Sequence, residues 1–236
     1  MNIAVPINTR IYRIAVGTFF FVAGLTFATW ASRIPDIKEK LELSDAGLGL
    51  VLFALPVGQI LSLPISALLI SKFGSKTVVI CTALLYPLTL VMLAAANSTS
   101  ILVLGLFVFG FWANSMNIAM NTQAVGVERF YGRSIMASFH GLWSLAGFTG
   151  AVVGTFFVSA GLSPLIHFSI VCVVTAMLVL ASSKYMLPGD EKEAGSKSLF
   201  TKPDKNILIL GLIAFCCMLS AKGLWQIGVE YIFKKW

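Results

Sequence analysis

Three asparagines in the apolar stretch 101–124 are the first residues of this chain whose type and spacing could do chemistry. Asn114, Asn117 and Asn121 are separated by three and four positions, so a helix places their amides on one face. In a helix surrounded by lipid, such amides either bond to a neighbouring helix or line a polar passage. We predict that Asn117 and Asn121 line a passage for a solute.

The next apolar stretch, 134–160, contributes His140, Trp143 and Ser144. His140 and Ser144 are four positions apart and share a helical face. The imidazole could bind a polar solute or carry a proton, or it could be a neutral group hydrogen-bonded to the stretch before it. If the two stretches are antiparallel helices, His140 and Asn121 lie at similar depths.

Trp30, Arg33 and Gln59 are further candidates for the same lining. Trp30 and Arg33 stand at the end of the first apolar stretch. They could contact solute or form a gate, or they could be an interfacial anchor and an interfacial cation beside Asp36. Gln59 lies within the second apolar stretch, where a polar side chain is costly unless it has a partner.

Acidic side chains are absent from the middles of the first six apolar stretches. If transport is driven by protons, the coupling acid is therefore replaced by His140 or lies further along the chain. Glu128 stands near the end of the fourth stretch, where we expect it to pair with Arg129 or Arg133.

The elements that must position these residues are membrane helices. Hydrophobic residues make up 58% of the 236 residues and charged residues 11%, against about 25% charged in soluble domains. A chain this apolar offers no water-soluble surface, so lipid is its solvent. Seven runs approach about 20 residues, the length that crosses a ~30 Å hydrocarbon core as a helix. They lie at about 11–32, 46–70, 77–96, 101–124, 134–160, 164–182 and from 206 onward.

The formal net charge of +7 is explained by topology rather than by a nucleic-acid partner. Eleven Lys and Arg residues fall before span 1 and after spans 2, 4 and 6, whereas the opposite side has only Arg33, Lys38 and Lys40. By the positive-inside rule, this distribution predicts a cytoplasmic N-terminus.

A polar stretch at 183–205 separates two parts of the chain. It contains Pro188 and Gly189 followed by several charged residues, a composition typical of a flexible linker. We predict a six-helix half at 1–182, a cytoplasmic linker at 183–205 and the start of a second half at 206–236. Six spans, a long linker and a further span are typical of six-plus-six transporters.

Glycines and cysteines within the spans are expected to be structural. Gly150 and Gly154 form a Gly-x-x-x-Gly pair that allows close helix packing, and packing is also the expectation for Gly141 and Gly147. All four cysteines fall in apolar runs, which predicts buried thiols rather than disulfides or a metal site: Cys81, Cys172, Cys216 and Cys217. No phosphate-loop motif is present, and no cofactor is expected.

The turn between spans 2 and 3 resembles the loop signature of the major facilitator superfamily. It matches at Lys72, Gly74 and Lys76, which the resemblance implies form a gating loop. It departs at Ala67 and Ser71, where the signature has a glycine and an acid. The acid helps to lock one conformation in that family, so its loss removes the basis for that role here.

Most of residues 11–220 resembles a bacterial subgroup of this family with uncharacterised and sugar-permease-like members. The matching segments are 30–35, 43–49, 117–128 and 140–144. The resemblance implies an all-α membrane protein, built as the N-terminal six-helix half of a major facilitator fold plus a partial seventh span. It also implies a secondary transporter that works by alternating access in the bacterial cytoplasmic (inner) membrane.

The tail departs from that subgroup. The subgroup typically reads E-G-x-x-x-D-W-S-x-x-Y after span 7 begins, whereas this chain continues from Ala221 with a different sequence to Trp236. One back-translation with chosen codons, read in another frame, recovers the motif. We therefore expect that 221–236 is an out-of-frame reading and that the chain is a truncated form.

Together these observations predict an ion- or proton-coupled secondary transporter of a small polar solute, such as a sugar or a drug-like molecule. A six-helix half holds only half of a cavity, so self-association is expected if the chain is truly truncated. The alternative is a seven-span binding or sensory protein without transport. An enzyme is not expected, because His140 has neither acids nor metal ligands near it in the sequence.

Overall fold

The computed structural model describes residues 7–187 and the single positions Ile209 and Leu212. The seventh predicted span, Cys216, Cys217 and the expected out-of-frame tail lie outside the described residues. The chain divides into two compact units, Met1–Lys192 and Glu193–Trp236, and the helices that follow belong to the first. They are α1 (Ile7–Ser32), α2 (Ile34–Lys40), α3 (Asp45–Leu52), α4 (Ala54–Ala95), α5 (Thr99–Tyr131), α6 (Met136–Ser159) and α7 (Pro164–Ser183).

Five helical stretches within the described residues are long and apolar enough to cross a membrane. Four of them correspond to α1, α5, α6 and α7. The fifth, Asp45–Ala95, has 51 residues. As a straight helix it would be about 77 Å long, more than twice the hydrocarbon thickness of a bilayer. It is broken at Gly74, where φ is 79° and ψ is 153°, so it supplies two crossings. The six spans predicted over residues 11–182 are therefore present.

Gly74 turns the chain back on itself, so that α4 consists of a first arm (54–73) and a second arm (75–95). In the first arm, Gly58 lies so close to the Phe107 carbonyl of α5 that a Cβ on Gly58 would clash with it. In the second arm, Leu93 lies 2.8 Å from where a Cβ on Gly105 of α5 would stand. The parts of the two arms that are far from Gly74 therefore both contact α5 near residues 105–107. This is possible only if the two arms are antiparallel.

The central helix of the bundle is α1, which packs against α4, α5, α6 and α7. A Cβ on Gly150 of α6 would lie 2.7 Å from the Ala28 Cβ of α1, and a Cβ on Gly154 would clash with Ser32. The predicted Gly-x-x-x-Gly contact is confirmed. The packing expectation is wrong for the other two glycines of span 5, at positions 141 and 147. Nothing lies within 4 Å of a Cβ at either, because no described helix covers that side of α6.

The end of the bundle that contains Gly74, called here the Gly74 end, is held together by a buried amide. Gln123 of α5 donates from Nε2 to Ser75 Oγ (2.7 Å), just after the turn of α4. Its Oε1 accepts from the backbone N–H of Leu187 (3.0 Å), which follows α7. One side chain thus joins the turn between spans 2 and 3 to the segment that leaves span 6.

The opposite end, called here the α2 end, has a short helix between the first two spans. Pro35 stands in the first turn of α2, where a missing N–H costs nothing. Lys40, the last residue of α2, donates from Nζ to the carbonyl oxygens of Ala94 (3.0 Å) and Ala96 (2.7 Å). These carbonyls are left unpaired by the end of the second arm, so Lys40 caps that arm and holds α2 over it.

Glu128 forms no ion pair with Arg129 or Arg133, and the expectation of such a pair is wrong. Its Oε2 accepts from the backbone N–H groups of Ile135 (2.7 Å) and Met136 (2.9 Å) at the start of α6. Those N–H groups have no partner within the helix, and the positive end of the helix dipole favours a carboxylate there. Glu128 therefore links α5 to α6 by capping the second helix.

Replacing Glu128 by glutamine should destabilise the bundle by about 0.5–2 kcal/mol, the usual range for the loss of a helix cap. The amide cannot supply the negative charge that the two N–H groups attract. Unfolding of the purified chain in detergent measures the change. Glu39→Gln is the matched control, because Glu39 is exposed on α2 and caps no helix. Equal destabilisation by the two substitutions would contradict the capping role.

Candidate functional site

The asparagines of α5 divide between helix packing and open surface. Asn114 Nδ2 donates to Ser62 Oγ (2.8 Å) and to the Gln59 carbonyl (3.0 Å), which ties α5 to the first arm of α4. Asn117 is exposed and Asn121 is half-buried. Asn121 Nδ2 donates to the Asn117 side-chain oxygen (3.0 Å) and to its carbonyl (2.8 Å). The amide nitrogen of Asn117 and the amide oxygen of Asn121 stay available to a ligand.

On α6, His140, Trp143 and Ser144 are all exposed. The His140 ring meets Phe20 of α1 edge to face, with ring centroids 5.4 Å apart. The Trp143 ring lies beside Phe27 of α1 at 6.4 Å between centroids. The alternative of an imidazole hydrogen-bonded to α5 is not realised, because the ring contacts α1 instead. These three residues form an open polar and aromatic surface next to the central helix.

Trp30 and Gln59 lie deeper in the bundle. Trp30 is only 2% exposed, and its ring packs against Phe109 of α5 with centroids 6.1 Å apart. Its position between α1 and α5 is that of a core residue rather than of an interfacial anchor. Gln59 is half-buried, and its backbone carbonyl is the acceptor that holds Asn114.

Arg33 is the most completely buried charged residue of the described chain, at 1% exposure. Its Nε donates to His167 Nδ1 (3.2 Å), one terminal nitrogen donates to Asp36 Oδ1 (2.9 Å), and the other donates to the Leu162 carbonyl (2.8 Å). The guanidinium therefore joins the end of α1 to α2, to the turn before α7 and to α7 itself. This group of contacts is called here the Arg33 cluster.

His167, which is fully buried in α7, was not among the residues predicted for the site. Its ring stacks on Phe157 of α6, with centroids 4.6 Å apart and an angle of 14° between planes. The topology of the predicted spans could have indicated that His167 lies near Arg33. Span 1 ends and span 6 begins at the same end of the bundle, so a histidine early in span 6 lies at the depth of an arginine late in span 1.

Two of the three residues of the predicted gating loop are accessible at the Gly74 end. Lys72 is exposed, with Nζ 5.2 Å from the centroid of the Phe73 ring, and Lys76 is half-buried. Gly74 has the backbone conformation that forms the turn. Other basic residues gather at this end, at the start of α1, at and just after the end of α5, and after α7: Arg10, Arg13, Arg129, Arg133 and Lys184.

The open surfaces of α5 and α6 carry no formal charge. No Asp, Glu, Lys or Arg occurs from Thr99 to Val127 or from Ser134 to Ser183. A cavity of about 440 Å³ lies between α1 and α6 towards the α2 end, lined by Ala28, Ala31, Ser32, Ala151, Thr155, Val158 and Ser159. Within the described residues, no three His, Cys, Asp or Glu side chains come together as a metal site would require.

A bundle of six apolar crossings, with uncharged polar side chains on an open face, defines a multi-span membrane protein of the transporter class. The sequence profile described as Major Facilitator Superfamily matches residues 14–232. The chain belongs to the major facilitator superfamily.

Curated relatives agree with this assignment. An uncharacterised MFS-type transporter of Yersinia pestis is 34% identical over 201 residues, covering 85% of this chain and 52% of the relative. The uncharacterised transporter y4wD of Sinorhizobium fredii is 29% identical and covers 84% of this chain and 53% of its own length. The membrane protein MosC of Rhizobium meliloti is also 29% identical, with 93% and 54% covered. The chain thus spans about half the length of the curated relatives it matches.

Solved structures show the same fold. The crystal structure of the nucleoside transporter NupG is similar with a TM-score of 0.64 at 18% identity, covering 80% of this chain and 47% of NupG. The N-terminal bundle described above is therefore a partial major facilitator fold, and the resemblance recognised in the sequence is confirmed.

Proposed function

We propose that this chain forms half of a secondary active transporter that moves a small polar solute by alternating access, coupled to protons or another ion. The observation that carries the proposal is the uncharged polar surface of α5 and α6: Asn117, Asn121, His140, Trp143 and Ser144. Polar side chains within membrane spans mark a solute pathway by default when they are not used to bind another helix. The amides and the hydroxyl suit hydroxyl-rich solutes such as sugars, and the indole suits an apolar solute face.

The other predicted site residues take supporting roles in this proposal. Gln59 lines the deep side of the passage on the first arm of α4, and Trp30 supports the wall behind it by packing on α5. Arg33 acts as a gate at the α2 end, where its guanidinium connects three helices. Lys72, Gly74 and Lys76 form the gating turn at the other end. The basic residues at the Gly74 end support a cytoplasmic position for that end and for the N-terminus, in the bacterial inner membrane.

A passage needs a second face, and that face lies outside residues 7–187. It comes either from the rest of a longer polypeptide, as the length of the relatives suggests, or from a second copy of this chain. Cross-linking in native membranes distinguishes the two sources, because only the second gives a covalent dimer of the 236-residue chain. The binding or sensory protein without transport stays the alternative function, and catalysis has no support in the family membership.

Asn121→Leu should lower solute uptake by about five- to tenfold, because one lost hydrogen bond to a desolvated solute is worth roughly 1–1.5 kcal/mol. Uptake is measured in liposomes that contain the 236-residue chain, with and without an imposed pH gradient. The probes are radiolabelled neutral sugars, together with nucleosides because NupG is named a nucleoside transporter. Thr122→Val is the control, since the Thr122 hydroxyl bonds only to the Ile118 carbonyl of its own helix.

Each result of this assay separates the functions. Saturable uptake that Asn121→Leu reduces and Thr122→Val preserves supports the transporter. Saturable binding of a probe without uptake favours the binding or sensory protein where cross-linking gives the covalent dimer, and half of a longer transporter where it gives none. Equal loss in both variants would contradict the assignment of the α5 surface as the passage.

A further inference from the structure

The Arg33 cluster contains a buried imidazole that the proposed solute passage does not use. His167 is 0% exposed, and its only hydrogen bond among residues 7–187 is the one that Nδ1 accepts from Arg33 Nε at 3.2 Å. The other ring nitrogen, Nε2, is also buried and has no partner within these residues. An imidazole that accepts at Nδ1 is neutral and carries its proton on Nε2.

A second proton and the Arg33 N–H compete for the same lone pair. Nδ1 of His167 has one lone pair, so protonation there removes the acceptor of the Arg33 hydrogen bond. It also places a second positive charge against a guanidinium that stays protonated at every accessible pH. In a buried site this repulsion is only weakly screened by water. The cluster as described therefore requires a neutral His167.

Few charges are present to offset that repulsion. From α2, Asp36 faces the cluster, and its side chain is 30% exposed where it pairs with Arg33. From α6, the contacts of His167 are Phe157 and the backbone at Gly154, neither of which titrates. The charged residues of α1 itself, Arg10 and Arg13, lie at its opposite end, and α4 has no charged residue after Lys76.

We propose that His167 is a proton-binding site whose occupancy breaks the bond to Arg33 and loosens the first turn of α2, while Lys40 continues to hold the last turn. The ligand is a proton that enters from the aqueous phase at the α2 end, past the partly exposed Asp36. Uptake of one proton on Nδ1 breaks the bond to Arg33 Nε, and its release restores that bond. This inference deepens the proposed function, because it assigns a coupling or gating proton to an imidazole other than His140.

The opening of α2 can be measured without any solute. Ile37 of α2 is 2% exposed, whereas Glu39 on the same helix is exposed. Single cysteines at these positions, Ile37→Cys and Glu39→Cys, are placed in a chain whose four cysteines are replaced by serine. The labelling rate of each by a charged maleimide is followed in lipid nanodiscs from pH 8 to about pH 4, a range that extends below the ordinary titration of histidine.

The ratio of the two rates removes the intrinsic pH dependence of thiol reactivity. This ratio, Ile37→Cys to Glu39→Cys, should rise on acidification. Because opening is coupled to the uptake of one proton, the rise is at most about tenfold per pH unit. His167→Asn keeps an acceptor oxygen near the place of Nδ1 and cannot take up a proton, so its ratio should stay low and flat. A rise of equal size in His167→Asn would overturn the proposal.

Direct observation of the imidazole keeps the test decisive if His167→Asn fails to fold. The chain has two histidines, so ¹⁵N-histidine labelling in a His140→Asn variant reports on His167 alone. The expected signal is a neutral ring with its proton on Nε2, which becomes doubly protonated over the pH range in which Ile37→Cys becomes reactive. A ring that gains its proton with no change in labelling would refute the coupling. None of these readouts depends on uptake, so a failed transport assay leaves them interpretable.

Discussion

Gly58→Ala should separate the first arm of α4 from α5 and give the largest loss of stability of any single methyl group added to this bundle. The new Cβ would clash with the Phe107 carbonyl, and Phe111 N would lie 3.0 Å away. These are backbone atoms, which cannot rotate aside as a side-chain end can. Overpacking of a core typically costs about 1–3 kcal/mol, and we expect the upper part of that range.

The consequence for the site is displacement of the asparagines. Asn114 reaches Ser62 and the Gln59 carbonyl only because the two helices approach this closely. Moving them apart breaks both hydrogen bonds and shifts Asn117 and Asn121 with α5. Uptake should therefore fall together with stability in Gly58→Ala.

Thermal unfolding in detergent, followed by tryptophan fluorescence, measures the stability change. Gly147→Ala is the matched control, because it adds the same methyl group to a helix at a position with nothing within 4 Å. Alanine has the higher helix propensity, so this control should be neutral or slightly stabilising. A Gly58→Ala variant that unfolds at the same temperature as Gly147→Ala would contradict the close contact of the two backbones.

Gly74→Ala should also destabilise the bundle, because the turn between spans 2 and 3 depends on a backbone conformation closed to other residues. A φ of 79° with a ψ of 153° belongs to a region that is essentially restricted to glycine. Forcing a side chain into it costs on the order of 1–3 kcal/mol. The turn would open, and the Gln123 bond to Ser75, one residue further along, would be lost.

Gly132→Asn separates this effect from the general loss of a glycine. Gly132 also has a positive φ, of 60°, but its ψ of 12° lies in the left-handed region that asparagine tolerates. We expect little change in unfolding temperature for Gly132→Asn and a clear decrease for Gly74→Ala. Equal stability of the two variants would show that the turn at 74 does not need glycine.

The membrane spans were predictable from the sequence for a local reason. Hydrophobic length alone decides whether a segment can cross a bilayer, and α7 was predicted at 164–182 and is found at Pro164–Ser183. The turn at Gly74 was likewise recognisable, because glycine at a short basic connection is a local signal. Helix ends that leave the hydrocarbon were less predictable. Span 4 was placed at 101–124, yet α5 continues to Tyr131, since helical hydrogen bonding does not stop at the lipid boundary.

The spacing of polar residues along the sequence did not reveal which of them bond to another helix and which stay accessible. Asn114, Asn117 and Asn121 share a helical face in the sequence, yet one bonds to the first arm and the other two are open. The difference comes from Ser62 and Gln59, residues of another helix whose rotation no local pattern reveals. In the same way, Arg33 was expected at an interface and is buried, because His167 approaches it from a distant part of the chain.

The sequence by itself thus determined the membrane class, the family, the number of crossings in residues 11–182 and the glycine turn between spans 2 and 3. These depend on hydrophobicity and on conformational preferences that act over a few neighbouring residues. Only the tertiary structure decided which amides stay open, which glycines are contacts, and that Arg33 and His167 form one cluster. Those outcomes depend on the rotation and depth of helices packed against each other, which are set by contacts between residues far apart in the chain.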